Sequence, residues 1–132
     1  MSTFQSTEEA REYFKHDLFA YHRGMVLEEL GEDYAVCSVP VHEELQNANG
    51  GIMGGAIFTL ADLAFAALSN QIHKPTVAQQ VNIVFLNSPK GTRLFARSEI
   101  KKNGRTTSVI NVLVTDDTGR DIAQFTGVGF KL

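Results

Sequence analysis

At 132 residues, 43% hydrophobic and 20% charged, the chain has the make-up of one globular domain spanning 1–132. A net charge of −3 exerts no global pull on nucleic acid or an anionic membrane, so neither is expected as a partner, and one cysteine, Cys37, excludes an internal disulfide framework. The opening "MSTFQSTEEAREYF" has no basic region followed by an apolar one, which with the lone thiol predicts a cytoplasmic protein.

Residues 1–20 read as a helical lead-in: Ser6 and Glu9 have capping-box spacing, and "TEEAREYF" places acidic residues in a first turn. "MVLEELGEDYAVCSVPV" splits at Gly31-Glu32-Asp33 into two β-prone runs, a hairpin. After the polar loop "HEELQNANGG" comes a segment too long for a strand and rich in Ala and Leu, predicted helical from about Met53 to Asn70 and stopped by Lys74-Pro75. The rest reads as strands. "TVAQQVNIVFL" ends at "NSPKG"; "TRLFARSEIK" alternates Leu94, Ala96, Ser98 and Ile100 with polar or bulky neighbours; Asn103-Gly104 signals a hairpin into "RTTSVINVLVT"; and "DIAQFTGVGFKL" closes an antiparallel meander. The fold class is α+β, with a long central helix, apolar nearly all round, wrapped by a curved antiparallel sheet.

That helix carries one carboxylate. Asp62 argues against a membrane span, because a carboxylate at mid-bilayer costs about 2.5–3.5 kcal/mol even on the insertion scale. Phe58, Thr59, Phe65 and Ala66 occupy the positions one turn away, so no cation within the helix pairs with it. A buried unpaired carboxylate has a raised pKa, and such groups concentrate at functional sites. Upstream, Gly50, Gly51, Gly54 and Gly55 permit close approach of backbone to a ligand, and Gly54-Gly55 falls at the helix N-terminus, where unpaired N–H groups suit a carbonyl oxygen becoming an oxyanion. On one continuous helix, Gly54 and Asp62 lie about 12 Å apart along the axis. Joint action on one carbonyl therefore requires two chains, and predicts a homodimer with composite sites.

The stretch "NANGGIMGGAIFTLADLAFA", with "FLNSP" at 85–89, "NGRTTSV" and "TGRDIAQFTGVGF", resembles the hotdog-fold thioesterases, in particular the PaaI-like subgroup that includes phenylacetyl-CoA thioesterases. The resemblance runs from Gly24 onward. It implies a hotdog fold with sheets paired edge to edge in a homodimer or homotetramer, an acyl-CoA substrate and no cofactor. It casts Asp62 as the general base activating water, or as the nucleophile forming an anhydride. It casts the Gly54 N–H of the other subunit as the group polarising the thioester carbonyl, and Asn47 as orienting water or carbonyl. Two positions depart from the pattern: the family's histidine is Met53, and the hydroxyl residue of the following strand is Ala78, for which Thr76, Gln79 or Gln80 are candidate substitutes. Substrate contacts are expected from Met53, Gly55, Phe65, Gln79 and, in the basic turn with Lys101 and Lys102, Arg105, whose guanidinium suits nucleotide phosphates. A catalytically weak acyl-CoA-binding module on the same fold is the second reading. His16, His22, His42 and His73 show no metal-ligand spacing, so no metal is expected.

Overall fold

The computed structural model describes residues 2–132. Ser6 caps α1 (Thr7–Phe14) by accepting from the Glu9 N–H at 3.1 Å, while the Glu9 carboxylate accepts from the Gln5 N–H, one residue further out than a reciprocal box requires. A single-turn helix, α2 (Leu18–Tyr21), follows. Strands β1 (Val26–Leu30) and β2 (Tyr34–Pro40) form the expected hairpin, closed by the Gly31 N–H on the Tyr34 carbonyl at 2.9 Å. The long helix α3 (Gly54–Ile72) is unbroken. Strands β3 (Thr76–Phe85), β4 (Arg93–Asn103), β5 (Thr107–Asp116) and β6 (Asp121–Lys131) complete the chain.

All pairings are antiparallel and the strand order is β1-β2-β4-β5-β6-β3. The expected four-strand meander is corrected at one point. β4, β5 and β6 follow one another, but β3 crosses over to pair with β6 and leaves β4 to β2. The Asn103-Gly104 hairpin is present, with the last pair at Asn103–Ser108, so its loop is longer than the dipeptide signal suggests.

The strand alternation read from sequence sets the core. Leu94, Ala96 and Ser98 of β4 turn inward with Ile110, Val112 and Val114 of β5 and Phe125 of β6, and these join Leu60, Ala64 and Leu68 of α3 in one cluster. The buried Ser98 hydroxyl is satisfied by donating to the Ala64 carbonyl at 2.9 Å, which ties the helix to the sheet. α3 is long and apolar enough to cross a membrane by length and composition, and here it forms the protein's core. The sheet and the N-terminal segment cover three sides of it. The central helix wrapped by the sheet is as expected, and Gly55, Thr59, Asp62 and Ala66, spaced three or four apart, form a less buried stripe along it.

The sheet's two edges are treated differently. On β1, the Arg11 guanidinium donates to the Leu27 and Glu28 carbonyls at 2.8 and 3.1 Å, and the Thr7 hydroxyl accepts from the Leu30 N–H. On β3 the Asn70 side chain meets the backbone of the first residue, accepting from the Thr76 N–H at 3.0 Å and donating to its carbonyl at 3.4 Å. Beyond it no side chain among the described residues bonds the outer edge, and Val77, Val84 and Phe85 are about half exposed. An edge left open from Val77 to Phe85 is a template for strand pairing.

Candidate active site

Asp62 stands at the middle of the open stripe of α3, half-buried rather than enclosed. It lines a cavity of about 310 Å³ formed between α3 and the start of α2, with Phe58, Thr59 and Leu63 from its own helix and Asp17, Leu18 and Phe19 opposite. No Lys, Arg or His lies within ion-pairing distance of it among the described residues. Burial pushes its carboxyl above the ordinary aspartate range, and the negative charge of Asp17 pushes the same way. A carboxylate so placed is a stronger base than an exposed one, as proton abstraction near neutral pH demands.

The second feature is the start of α3. Met53 occupies the N-cap with extended backbone (φ −65°, ψ 137°), and its thioether supplies no capping bond. The Gly54 and Gly55 N–H groups meet no acceptor among the described residues; the first helical bonds to Met53 come from Ala56 and Ile57. A Cβ on Gly54 would stand 3.1 Å from the Phe85 ring, so glycine here serves close approach. Gly54 lines a cavity of about 340 Å³ with Ile52, Ile57, Phe85 and Leu86. No residue lines both this cavity and the one at Asp62. With α3 continuous between them, the 12 Å separation inferred from sequence holds within one chain.

Asn47 organises the loop before the helix. Its Oδ1 accepts from the Asn49 and Gly51 N–H groups at 2.9 and 3.1 Å, which leaves Nδ2 as the donor not used by the loop. Gly50 takes the left-handed turn of that loop (φ 82°), a conformation that glycine adopts without strain. The side chain of exposed Met53 lies over Gly55, 3.8 Å from where a Cβ would be. Gln79 is the bulged residue of β3, between the Ala78–Gly129 and Gln80–Val128 pairs, and Ala78, Gln79 and Gln80 are all exposed on the open edge. Thr76 does not substitute for a water-holding hydroxyl, since its side chain is turned to the His73 carbonyl and is buried. Arg105 is exposed in the β4–β5 loop, away from both cavities within the chain.

Phe65 is a correction. Rather than lining a pocket, it is 2% exposed and packs on Phe125 at 5.9 Å between ring centroids, with its edge against Gly127. Phe58, one turn before Asp62, takes the pocket-lining place. Sequence reasoning also missed Asp17 and Phe85. The only trace of the first is "DLF", a carboxylate followed by two apolar residues that end up 57% and 61% exposed; the trace of the second is its place at the head of "FLNSP".

Residues 49–123 match the family model of the thioesterase superfamily. The chain belongs to that superfamily. The match takes in the end of the loop before α3, α3 itself and strands β3 to β5, hence Gly54, Asp62 and Phe85, and leaves out Asn47 and Asp17. Similar to this superfamily member is the acyl-coenzyme A thioesterase PaaI of Escherichia coli, 26% identical over 95% of this chain and 90% of that one. A crystal structure of a Thermus thermophilus protein superposes with a TM-score of 0.83 at 31% identity, covering 88% of this chain and 98% of that one. A thioesterase of Streptococcus pneumoniae crystallised with coenzyme A superposes with a TM-score of 0.81 at 26% identity, covering 89% and 94%. The fold is the hotdog fold of PaaI-like thioesterases, a long helix against a six-stranded antiparallel sheet.

Proposed function

We propose that this chain hydrolyses acyl-CoA thioesters to free acid and CoA, at composite sites formed by two copies paired along β3. The observation that carries the reading is the pair of half-sites on α3: a half-buried carboxylate with no cation, and two unpartnered N–H groups a helix segment away. Neither half alone suffices for acyl transfer. A second copy brings the missing half, and the uncovered edge of β3 supplies a route for it. The acyl-CoA names of its relatives, and the coenzyme A bound by the pneumococcal neighbour, support the substrate class.

In this reading the thioester carbonyl lies on the Gly54 N–H of one copy, and Asp62 of the other takes a proton from water as its oxygen attacks the carbonyl carbon. The oxyanion of the tetrahedral intermediate is held by the helix N-terminus, where N–H donors cost no reorganisation. Collapse breaks the C–S bond, and the proton held by Asp62 passes to the departing sulfur. Asn47, through Nδ2, orients the carbonyl; Gln79 on β3 and Arg105 in its basic loop meet the CoA portion. The protein acts without a resident cofactor, in the cytoplasm, as a homodimer or a homotetramer built from it.

A second reading, an acyl-CoA-binding module with little turnover, is favoured by one local fact: at the start of α3 stands a thioether, and the exposed stretch Ala78–Gln80 offers no hydroxyl. Release of free CoA thiol across a panel of aryl- and acyl-CoAs, with wild type beside Asp62→Asn, separates the two. Turnover lost in the variant supports the hydrolase; binding without turnover in the wild type supports the module.

A further inference from the structure

Two carboxylates face the cavity beside α3, and among the described residues no cation lines it. Asp62 comes from α3. Asp17 comes from the position before α2 and sits at the rim, exposed. The remaining lining residues, Leu18, Phe19, Ala20, Phe58, Thr59 and Leu63, carry no charge. Asp17 stands where an N-cap would, yet its side chain makes no capping bond, and no ion pair holds it among the described residues. Its carboxylate is therefore not consumed by local structure.

The charged and titratable groups on the neighbouring elements do not line the cavity, though Arg23 stacks on one of its rings. From α1, Arg11 is committed to the carbonyls of β1, and Lys15 pairs with Glu12 at 2.8 Å. His16 places Nδ1 on the Tyr13 carbonyl. Past α2, Arg23 stacks 3.8 Å above the Phe19 ring and donates to the Phe19 carbonyl, and the His22 ring packs beside Tyr21. The cavity thus has apolar walls and a net charge of one sign.

We infer that Asp17 is a specificity residue of the proposed site, turning away acyl groups that carry a negative charge of their own and leaving the cavity to uncharged acyl and aryl groups. The inference rests on the reading of Asp62 as the hydrolytic base. An acyl tail ending in carboxylate enters beside two like charges that no cation lining the cavity from the same copy offsets, and discrimination by an opposed charge is a direct route to specificity. An uncharged tail meets Leu18, Phe19, Phe58 and Leu63 instead. The same charge acts on Asp62: beside Asp17 its proton is held more firmly, so Asp17 is also a positioning residue for the base.

The test compares glutaryl-CoA with hexanoyl-CoA, two tails of similar length, in wild type, Asp17→Asn and Asp17→Glu. In Asp17→Asn the kcat/KM ratio of glutaryl to hexanoyl rises about fivefold, the size of a like-charge contact seen through solvent. The acid limb of the hexanoyl pH profile moves to lower pH at the same time. Asp17→Glu restores both towards wild type. A merely structural role changes both substrates alike and leaves the ratio and the limb in place; that result overturns the inference while leaving the thioesterase reading intact. A wild type that binds both esters without turnover is read through affinities instead, where the same ratio must rise in Asp17→Asn and a constant ratio overturns the inference. A wild type that neither binds nor cleaves either ester overturns the proposed function and this inference together.

Discussion

The ring of Phe85 rests against Gly54, so that a Cβ at position 54 would stand 3.1 Å from Cζ and 3.4 Å from Cε1. The last residue of β3 thus packs on the first residue of α3, and the edge strand and the helix N-terminus are fixed relative to one another. Gly54→Ala sets two effects in opposition: alanine gains about 0.5–1 kcal/mol in helix propensity, and the new methyl must push the ring aside. The substitution is expected to be nearly neutral in the native background and stabilising by up to about 1 kcal/mol alongside Phe85→Leu. Denaturant midpoints of the four proteins decide; equal effects of Gly54→Ala in both backgrounds would show that the ring does not bear on position 54.

Asp62 is expected to trade stability for chemistry. Burial raises its folded carboxyl pKa above the unfolded value, so its contribution to stability is fully present below the unfolded pKa and is lost as pH rises through the folded one. Asp62→Asn is therefore more stable than wild type at pH 7, with the gap closing as pH falls to about 4. Turnover of acyl-CoA falls at least ~100-fold, the low end of what a general base contributes. Thermal melts from pH 4 to 8 check the first statement, thiol release the second. A variant less stable than wild type at pH 7 would place a favourable partner on Asp62 that the structure lacks.

Asp116 shows the opposite sign. It is 3% exposed, and its two oxygens accept from the Thr118 hydroxyl and from the N–H groups of Lys90, Gly91, Thr118 and Arg120, which hold its carboxyl well below the usual range. Here the stabilisation is present above the unfolded pKa and lost as pH falls through the folded one. Asp116→Asn is expected to lower the melting temperature most at neutral pH, with the difference shrinking only below about pH 4. Asp116 fastens the loop between β3 and β4, whose residues 86–89 line the cavity at Gly54, to the β5–β6 turn; thermal melts of both proteins from about pH 3 to 8 check the expectation.

These carboxylates also mark how far sequence reasoning reaches. The 3.6- and 2-residue periodicities made α3 and the four long strands legible to within a few residues, because each is a local property of consecutive side chains. The place of β3 was not legible: whether it pairs with β4 or β6 depends on partners 38 to 55 residues away. Which face of α3 stays open was equally hidden, since Phe58 and Phe65 look alike in an almost wholly apolar helix. Both rings pack on Phe125, at 5.5 and 5.9 Å between centroids, and only burial separates the core aromatic Phe65 from the pocket aromatic Phe58. Asp62 and Gly54 were found because a lone charge and paired glycines break an apolar pattern. Asp17 was missed because its meaning lies in what it faces across 45 positions of chain.

The composite site is exposed most directly by hybrid dimers. Gly54 is the first residue of α3, its N–H has no partner among the described residues, and Met53 before it already has the extended backbone that precedes proline. Gly54→Pro thus deletes the donor at the one helical position where proline is at home. It is expected to fold and to lose about 10²- to 10³-fold in kcat, as removal of an oxyanion donor does. Asp62→Asn is inactive for the other reason. If each site takes Asp62 from one copy and Gly54 from the other, a mixed dimer holds one site with both groups intact and one with both removed. Unfolding and refolding an equal mixture then restores roughly a quarter of wild-type turnover, since half the dimers are mixed and half their sites work. Were both groups drawn from the same chain, every site in the mixture would lack one of them, and the refolded sample would stay as inactive as its components, with subunit exchange verified by mass spectrometry of differently tagged copies.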